Sequence, residues 1–277
     1  MKMPPTESNP KELLAYWINE RENIRHLKYM ENFKPWSDDP IFQKTYFTNV
    51  HREDDKVTKF IRKWVQEERG KDASQVVFNL IACRLINWPD TIEHMGYWNL
   101  FDPEMFKSIV LLKEGKVWGS AYIVSTCGQR IDKVTYMAEL LAEIQYKLRD
   151  DRHKISPVQS CKEAHKYLLG VRGLSDFMAA QIVADIKHTP GMGLCSSPDF
   201  YTFAKPGPGS LRGLAWYFEL DKVRKGDFTS LINQVHEDLA LDDDFEMQDL
   251  QNCLCEFDKY MRIKNGTGRS KRLYDGV

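Results

Sequence analysis

Residues 163–186 read EAHKYLLGVRGLSDFMAAQIVADI, and this stretch determines the class of fold that the chain is expected to adopt. Apolar residues at helical spacing flank a centre that contains two glycines. The first helix is predicted to end in Leu168 and Leu169. Ser175 or Asp176 is expected to cap the second helix. The sequence therefore predicts two helices joined by a tight turn.

The turn itself consists of Gly170, Val171, Arg172 and Gly173. Two glycines beside an aliphatic residue allow the backbone to turn tightly and to point N–H groups at a phosphate oxygen. A helix-hairpin-helix uses this physics to bind the DNA backbone without reading bases. The alternative is an ordinary connection between helices, with a glycine ending the first one. Arg172 favours DNA binding, because it places a cation beside the glycines.

The rest of the chain is expected to be mostly α, with at most a small β element. Further helices are expected over about 11–29, 55–69, 73–86, 103–113, 132–149, 227–240 and 244–261. The one strand-like stretch is VWGSAYIVST, residues 117–126. The Gly/Pro cluster at 190–213 is expected to be a long ordered loop, which on length alone indicates function.

Three regions are predicted along the chain: a flexible arm over residues 1–10, one helical domain over 11–265, for which a division into two lobes is left open, and a basic tail over 266–277. The composition, 42% hydrophobic and 29% charged, is that of a globular protein. Its apolar runs fall short of the roughly 20 residues that span a bilayer. The sequence start lacks the apolar segment of a signal peptide, so we expect a cytoplasmic protein.

The formal net charge is −1, because 39 Lys and Arg residues nearly balance 40 Asp and Glu residues. Proteins that bind DNA through non-specific phosphate contacts are usually basic. A nucleic-acid surface on this chain must therefore be a local patch. The six cysteines form no C-x-x-C pair and no cluster with zinc-ligand spacing. We therefore expect reduced thiols and no metal site.

A second segment, AKPGPGSLRGLAWYF at residues 204–218, combines glycines with cations. Its candidate phosphate-binding residues are Lys205, Gly207, Gly209, Ser210 and Arg212. Glycine-rich backbone with available N–H groups and neighbouring cations suits a phosphate or pyrophosphate group. The order G-x-x-x-x-G-K-[ST] of a Walker sequence is absent, which argues against nucleotide hydrolysis by a P-loop mechanism. The alternative is an ordinary surface loop.

Two further segments are dense in polar residues. Residues 35–61 contain the run Asn49, His51, Arg52, Glu53, Asp54 and Asp55. Residues 254–262, LCEFDKYMR, place Glu256 and Lys259 three positions apart on one helix face. Read alone, the first is a solvated start of a helix and the second is a surface ion pair.

Taken in order, six segments resemble one family. They are PWSDDPIF…FTNVHREDDKVT, FNLIACRLIN, VWGSAYIVST, GVRGLSDFMAAQIVADI, GPGSLRGL and LCEFDKY. The family is that of the alpha-glutamyl/putrescinyl-thymine pyrophosphorylases, also called amino acid:DNA transferases, and the resemblance runs from about residue 20 to 272. It implies the helical domain shared with 5-hydroxymethyluracil DNA kinases and a helix-hairpin-helix DNA glycosylase-like fold. Because the kinases add a P-loop domain, the chain looks like the stand-alone transferase.

The resemblance also implies a reaction. Members act in bacteriophage thymine hypermodification, where an amino acid or polyamine displaces pyrophosphate from 5-pyrophosphoryloxymethyluracil in double-stranded DNA. The modified base is expected to be flipped into a pocket. No cofactor is implied, and a 5-hydroxymethyluracil DNA kinase is the expected pathway partner.

That chemistry assigns roles to residues. Departing pyrophosphate needs cations, for which Lys205, Arg212 and the glycine loop are the candidates, with Arg52 as a second clamp. The amine is protonated at neutral pH, so a carboxylate must accept a proton. The candidate carboxylates are Asp185, which resembles the aspartate after the hairpin of DNA glycosylases, Glu256 and Asp54. These roles require Asp185 or Glu256 to share a cleft with Arg52 and Arg212.

The remaining roles concern the DNA. Asn49 and Asn87 are assigned to the uracil edge, and Arg130, Lys133 and Lys259 to the DNA backbone together with the hairpin turn. Two other interpretations stay open. A glycosylase-like enzyme that excises a modified base would share the hairpin and the aspartate but has no use for a cationic loop. A non-catalytic DNA-binding partner of the kinase would tolerate Asp185→Asn and Glu256→Gln.

Overall fold

The computed structural model describes residues 9–30, 32–66, 72–119, 126, 128–155 and 159–269. Every regular element in these ranges is a helix, which confirms the expected mostly α class. The strand-like stretch falls largely on residues 120–125, outside the described residues, and its described ends form no strand. Most of the predicted arm and of the basic tail also lies outside the described residues.

The helices follow the sequence pattern closely at most positions. The α-helices are α1 (Pro10–Tyr29), α2 (Pro40–Lys44), α3 (Lys56–Gln66), α4 (Ala73–Ile86), α5 (Pro89–Met95), α6 (Pro103–Leu112), α7 (Lys133–Asp150), α8 (Arg152–Ile155), α9 (Cys161–Leu169), α10 (Asp176–Lys187), α11 (Pro208–Tyr217), α12 (Phe228–Asp238) and α13 (Met247–Lys264). Short 3₁₀ helices cover Arg52–Asp54, Gly193–Ser196 and Lys225–Asp227.

The Gly/Pro cluster at 190–213 is only partly a loop, contrary to the expectation. It contains a 3₁₀ helix, and α11 begins inside it at Pro208. Proline fits the first turn of a helix, because its missing N–H would have no partner there and its φ is already helical. Ser210 then closes that turn, since the Gly207 N–H donates to its Oγ at 2.9 Å and its hydroxyl donates to Gly207 O.

The chain divides into two compact units, Met1–Asp55 with Tyr201–Val277 (unit 1) and Lys56–Phe200 (unit 2). Unit 1 has an aromatic core. Phe42 lies with its ring centre 5.1 Å from that of Phe47 and 5.6 Å from that of Tyr260 on α13. Trp17 of α1 is fully buried in the same core. Burial of these large rings adds to the hydrophobic stabilisation that the aliphatic side chains of the same core provide.

Two glycines bring α11 unusually close to α13. A Cβ atom added at Gly213 would overlap the carbonyl oxygen of Leu254, and one at Gly209 would overlap the sulfur of Cys255. Only residues without a side chain permit this approach. Helix packing therefore explains both glycines without a ligand.

In unit 2 the hairpin of α9 and α10 has the predicted boundaries. The first helix ends at Leu169, and Ser175 caps the second by accepting the N–H of Met178. Gly173 has φ +80°, a conformation that favours glycine, and a Cβ there would press on the side chain of Leu140 in α7. The turn is thus packed onto the unit. Its membership of a helix-hairpin-helix fold stays a prediction.

The packing of α11 on α13 predicts the effect of Gly213→Ala. The Leu254 carbonyl is helical backbone and cannot move aside, so the added methyl should lower the free energy of unfolding by about 1–3 kcal/mol. Urea denaturation measures this change. Gly226→Ala in the same unit is the control, because a Cβ there meets nothing within 4 Å. Equal stability of both variants would contradict the packing role.

Candidate functional site

Residues 48–54 lie against one face of α13 in unit 1. Asp249 accepts the N–H of Arg52 at 2.9 Å, and Glu256 accepts the N–H of Thr48 at 3.2 Å. These two carboxylates are seven residues apart, which places them on the same side of a helix. We call the group of side chains around this contact the polar cluster. Its members are Arg21, Glu22, Arg25, Asn49, His51, Arg52, Asp54, Asp249, Asn252, Glu256 and Lys259.

The predicted base-binding residue Asn49 sits inside this cluster. Its amide donates to the backbone oxygen of Asp54 at 2.9 Å, and its carbonyl oxygen accepts from the guanidinium of Arg21. The carboxylate of Asp54 lies 3.4 Å from Nε of Arg25. Asn49, which the sequence assigned to base binding, and Asp54, a candidate proton acceptor, therefore belong to one hydrogen-bonded loop that contacts α1.

Glu256 and Lys259 form the predicted ion pair, with 2.6 Å between Oε2 and Nζ. Lys259 also donates to the backbone oxygen of Tyr46 at 2.9 Å, and its ammonium lies 4.8 Å from the ring centre of Phe47. These contacts connect α13 to Tyr46 and Phe47, which precede the polar run that starts at Asn49. Contact of Lys259 with DNA stays a prediction.

A histidine–aspartate pair in the cluster was not singled out from the sequence. His51 Nδ1 lies 3.0 Å from Oδ2 of Asp249, across 198 residues of chain. The carboxylate is buried, with 5% of its side chain exposed, whereas 40% of the His51 side chain is exposed. The hydrogen bond to Asp249 raises the pKa of His51. A half-exposed imidazole oriented by a buried carboxylate is suited to accept a proton.

Arg52 is fixed by the same aspartate. Its backbone N–H donates to Oδ1 of Asp249, while Oδ2 of that carboxylate holds the imidazole of His51. The guanidinium of Arg52 pairs with Glu53 at 3.2 Å and is mostly buried. One buried carboxylate therefore holds both the imidazole of His51 and the backbone from which the Arg52 side chain extends.

Glu22 of α1 is a second residue that sequence reasoning missed. Its Oε2 accepts from Arg25 at 2.9 Å. Its other oxygen, Oε1, is buried and has no hydrogen-bond partner among the described residues. A buried acceptor without a donor is rare in folded proteins. Nothing in the spacing of α1 distinguishes Glu22 from an ordinary surface glutamate, because its role depends on the loop folded over it.

Arg212 lies on a different side of α13. Its Nε and one terminal nitrogen donate to Oδ2 of Asp258 at 3.0 and 2.8 Å, and Nε of Arg262 reaches the same oxygen at 3.2 Å. Asp258 is two residues from Glu256, a rotation of about 200° around the helix. Arg212 therefore contacts a different side of α13 from the one that carries Glu256, and a cleft shared by Arg52 and Arg212 stays a prediction. Lys205, the other predicted phosphate-binding cation, lies with Nζ 6.0 Å from the ring centre of Phe203.

Asp185 forms a buried ion pair in unit 2. Its two oxygens accept from Nε and a terminal nitrogen of Arg84 at 2.5 and 2.6 Å, and Arg84 also donates to Thr58 at 2.9 Å. The side chains of Arg84 and Asp185 are 1% and 3% exposed. Lys187, two residues further along α10, donates to the backbone oxygen of Phe200. The proton-accepting role of Asp185 stays a prediction that must account for this pairing.

The other residues of unit 2 that the sequence assigned to DNA contacts differ in their exposure. Arg172 in the exposed hairpin turn pairs with Glu143 of α7, and Arg130 is exposed. The ammonium of Lys133 lies 4.5 Å from the ring centre of Trp118, and burial lowers the pKa of this lysine. Asn87 ends α4 with φ 50°, and its side-chain oxygen is buried with no hydrogen-bond partner in the described ranges.

Unit 2 also contains a cavity of about 110 Å³ beside α9. Its walls are mostly apolar and include Val77, Ile155, Leu168 and Leu194, with the ring of Tyr167. Such a lining does not suit pyrophosphate, because a desolvated anion needs hydrogen-bond donors or cations.

Comparison with known proteins identifies the family. A profile of the family described as "5-hmdU DNA kinase, helical domain" matches residues 9–270. The chain belongs to this family. The 5-hmdU DNA kinase of Bacillus phage SP10 is 24% identical over 284 residues, which cover 88% of this chain and 44% of that protein. The chain thus spans less than half the length of this relative. No solved structure matches the chain.

The family match confirms the expected kinship with the helical domain of 5-hydroxymethyluracil DNA kinases. Two further properties hold for the described residues. None of their helices has the length and apolar character needed to cross a membrane. No three of their His, Cys, Asp or Glu side chains are grouped so as to hold a metal ion.

The buried pair of unit 2 predicts the effect of Asp185→Asn. The substitution leaves the guanidinium of Arg84 buried beside a neutral amide, which should lower the free energy of unfolding by about 3–5 kcal/mol. The double variant Arg84→Met/Asp185→Leu removes both charges and should be closer to the wild type. Chemical denaturation of the three proteins measures this. Wild-type stability of Asp185→Asn would show that the pair does not hold the unit together.

Proposed function

We propose that the chain transfers an amine to a modified thymine in double-stranded phage DNA. The amine nitrogen of an amino acid or polyamine forms a bond to the exocyclic methylene of 5-pyrophosphoryloxymethyluracil. The bond from that carbon to the pyrophosphate oxygen breaks, and the nitrogen loses one proton. Membership of the 5-hmdU DNA kinase helical-domain family supports a role in the same modification chemistry.

The observation that carries the proposal is that Asp249 forms hydrogen bonds with both the ring of His51 and the backbone N–H of Arg52. The reaction needs a base for the amine and positive charge for the departing pyrophosphate. In the polar cluster these two requirements are met by neighbouring residues, His51 through its ring and Arg52 through its backbone N–H, that one buried carboxylate holds. A histidine is also better matched to neutral pH than a carboxylate that already accepts from a cation.

In this account His51 accepts the proton from the amine, and Asp249 keeps the imidazole oriented. Arg52 stabilises the charge that develops on pyrophosphate. The unsatisfied oxygen of Glu22 is an acceptor for the ammonium form of the incoming amine. Asn49 is proposed to read the uracil edge. Glu256 and Asp54 remain proposed acceptors as well, although each already pairs with a cation of the cluster.

The remaining cations are proposed to contact the DNA backbone. Arg212 and Arg262 both donate to the buried Asp258, and each guanidinium has further N–H groups beyond those bonds. Lys205 and Lys259 are proposed for the same purpose. In unit 2 the hairpin turn, Arg130 and Lys133 are the proposed phosphate contacts, and Asn87 is a second candidate for base recognition.

One observation favours a second candidate function. The bidentate pairing of Asp185 with Arg84 occupies the carboxylate that a glycosylase-like or transferase reaction in unit 2 would use. A DNA-binding partner of a 5-hmdU DNA kinase, without chemistry of its own, needs no such carboxylate. This candidate predicts DNA binding without turnover.

The proposal is tested with duplex DNA that carries 5-pyrophosphoryloxymethyluracil, incubated with a mixture of amino acids and polyamines. Pyrophosphate release is followed, and the digested nucleosides are examined by mass spectrometry. Release that depends on amine, with one new amine-bearing nucleoside, is the expected result. Binding without product would favour the accessory function, and free modified base would favour a glycosylase.

The histidine–aspartate pair predicts how the rate depends on pH. Only neutral imidazole accepts a proton, so kcat should rise with pH through the raised pKa of His51, to which Glu22 and Asp54 also contribute. Asp249→Asn removes the largest cause of that shift and should move the rise to lower pH. His51→Gln should lower kcat by about 10²–10⁴-fold and abolish the rise.

His153→Gln, which changes an exposed histidine of unit 2, is the matched control and should leave the pH profile unchanged. An unaltered profile in both His51→Gln and Asp249→Asn would remove His51 from the reaction. The base would then have to be sought among Glu256 and Asp54.

A further inference from the structure

The loop that follows α1 exposes aromatic side chains that a folded protein normally buries. Phe33 is 98% exposed, and Tyr29 at the end of α1 is 81% exposed. We call Asn32, Phe33, Lys34, Pro35 and Trp36 the aromatic loop. Exposure of a phenylalanine to water forgoes the stabilisation that burial would give, so the position invites a functional explanation.

The aromatic loop has a defined conformation at its start. The indole N–H of Trp36 donates to the backbone oxygen of Asn32 at 2.8 Å, and the Asn32 N–H donates to Leu27 O at 3.1 Å. The ammonium groups of Lys28 and Lys34 lie 5.5 and 5.4 Å from the ring centre of Trp36. The loop therefore folds back on the end of α1, with the ammonium groups of two lysines near the indole.

The end of the loop is fixed as well. The hydroxyl of Ser37 donates to the carboxylate of Glu20 in α1, and Asp39 caps α2 by accepting the Ile41 N–H. Asp39 also accepts the phenol of Tyr260 in α13 at 2.8 Å. With both ends bonded to helices of unit 1, the exposed side chain of Phe33 is held outward by the fold.

The loop borders the polar cluster through α1. Arg25 contacts Glu22 and Asp54 in the cluster. Lys28 and Tyr29 follow Arg25 by three and four residues, which places them on the same side of the helix one turn further on. The exposed aromatic groups thus begin about one helical turn from the proposed reaction site.

The cations of the loop indicate its ligand. Within the aromatic loop the charged side chain is that of Lys34, and the ammonium of Lys28 lies beside the same indole. Glu31, which precedes the loop, lies outside the described residues; Asp38 is exposed beyond the end of the loop, and Asp39 is buried as the cap of α2. An exposed apolar side chain near cations matches duplex DNA, in which stacked bases lie between two rows of phosphates. Proteins that kink DNA or extrude a base insert Phe, Leu or Met between base pairs in this way.

From this arrangement we infer that the aromatic loop is a DNA wedge. Phe33 inserts into the base stack next to the modified thymine, and Lys28 and Lys34 contact the flanking phosphates. The wedge fills the space that an extruded base leaves and so keeps that base in the polar cluster. The inference rests on the proposed function, because it takes DNA with an extruded base as the substrate.

The test uses duplex DNA with 5-pyrophosphoryloxymethyluracil and 2-aminopurine as its 3′ neighbour, since 2-aminopurine fluoresces more strongly when it is unstacked. Wild-type protein should raise the fluorescence. Phe33→Ala should lose most of that rise and bind about tenfold more weakly, because one stacking contact is removed. Phe33→Leu keeps an apolar wedge and should retain most of the rise. Leu112→Ala, at an exposed leucine of unit 2, is the control and should match the wild type.

An equal fluorescence rise in Phe33→Ala and wild type would overturn the wedge. Circular dichroism of Phe33→Ala should be unchanged, because the side chain is almost fully exposed. Amine transfer is measured in the same samples. A fluorescence rise that requires Phe33 without any product would support the wedge and refute the transferase. Product formed at equal rates by wild type and Phe33→Ala, with equal fluorescence, would refute the wedge alone.

Discussion

The proposed site of unit 1 depends on the exact placement of α13, and that placement is set by contact between two backbones. Gly209 and Gly213 let α11 approach so closely that a methyl group at either position would overlap α13. The opposite side of α13 then faces residues 48–54, which have no regular strand or long helix of their own. Their conformation comes from side chains of α13 and α1 that bond to their backbone: Glu256 accepts the N–H of Thr48, and Arg21 donates to the carbonyl oxygen of Thr48.

Asp249 links this architecture to chemistry. A buried carboxylate is stable only when its oxygens are hydrogen-bonded, and here the Arg52 N–H and the His51 ring satisfy them. The hydrogen bonds that stabilise the buried carboxylate thus also orient the imidazole of His51. In unit 2 the buried Asp185 is satisfied by Arg84 instead, so its carboxylate is occupied by a structural partner. Two buried aspartates with different partners explain why we propose the chemistry for unit 1 rather than for unit 2.

The sequence predicted what local pattern and spacing determine. The boundaries of the hairpin at Leu169 and Ser175 follow from apolar periodicity and capping chemistry, and the Glu256–Lys259 pair follows from helical spacing. The pairing of His51 with Asp249 spans 198 residues, so no local sequence pattern predicts it. Phosphate binding by Gly207 and Gly209 stays a prediction, since a glycine needed for helix packing, as Gly209 is, looks the same in sequence as one that approaches a ligand.

We place the reaction of the modified base in unit 1, at residues 48–54 where they pack on α13. Photocrosslinking tests this placement directly, with 5-iodouracil in place of the modified base in duplex DNA and the crosslinked peptide mapped by mass spectrometry. We expect attachment within residues 48–54 or to the neighbouring side chains of α1 and α13. Attachment to α10 near Asp185, or to the hairpin turn, would contradict it and move the reaction to unit 2.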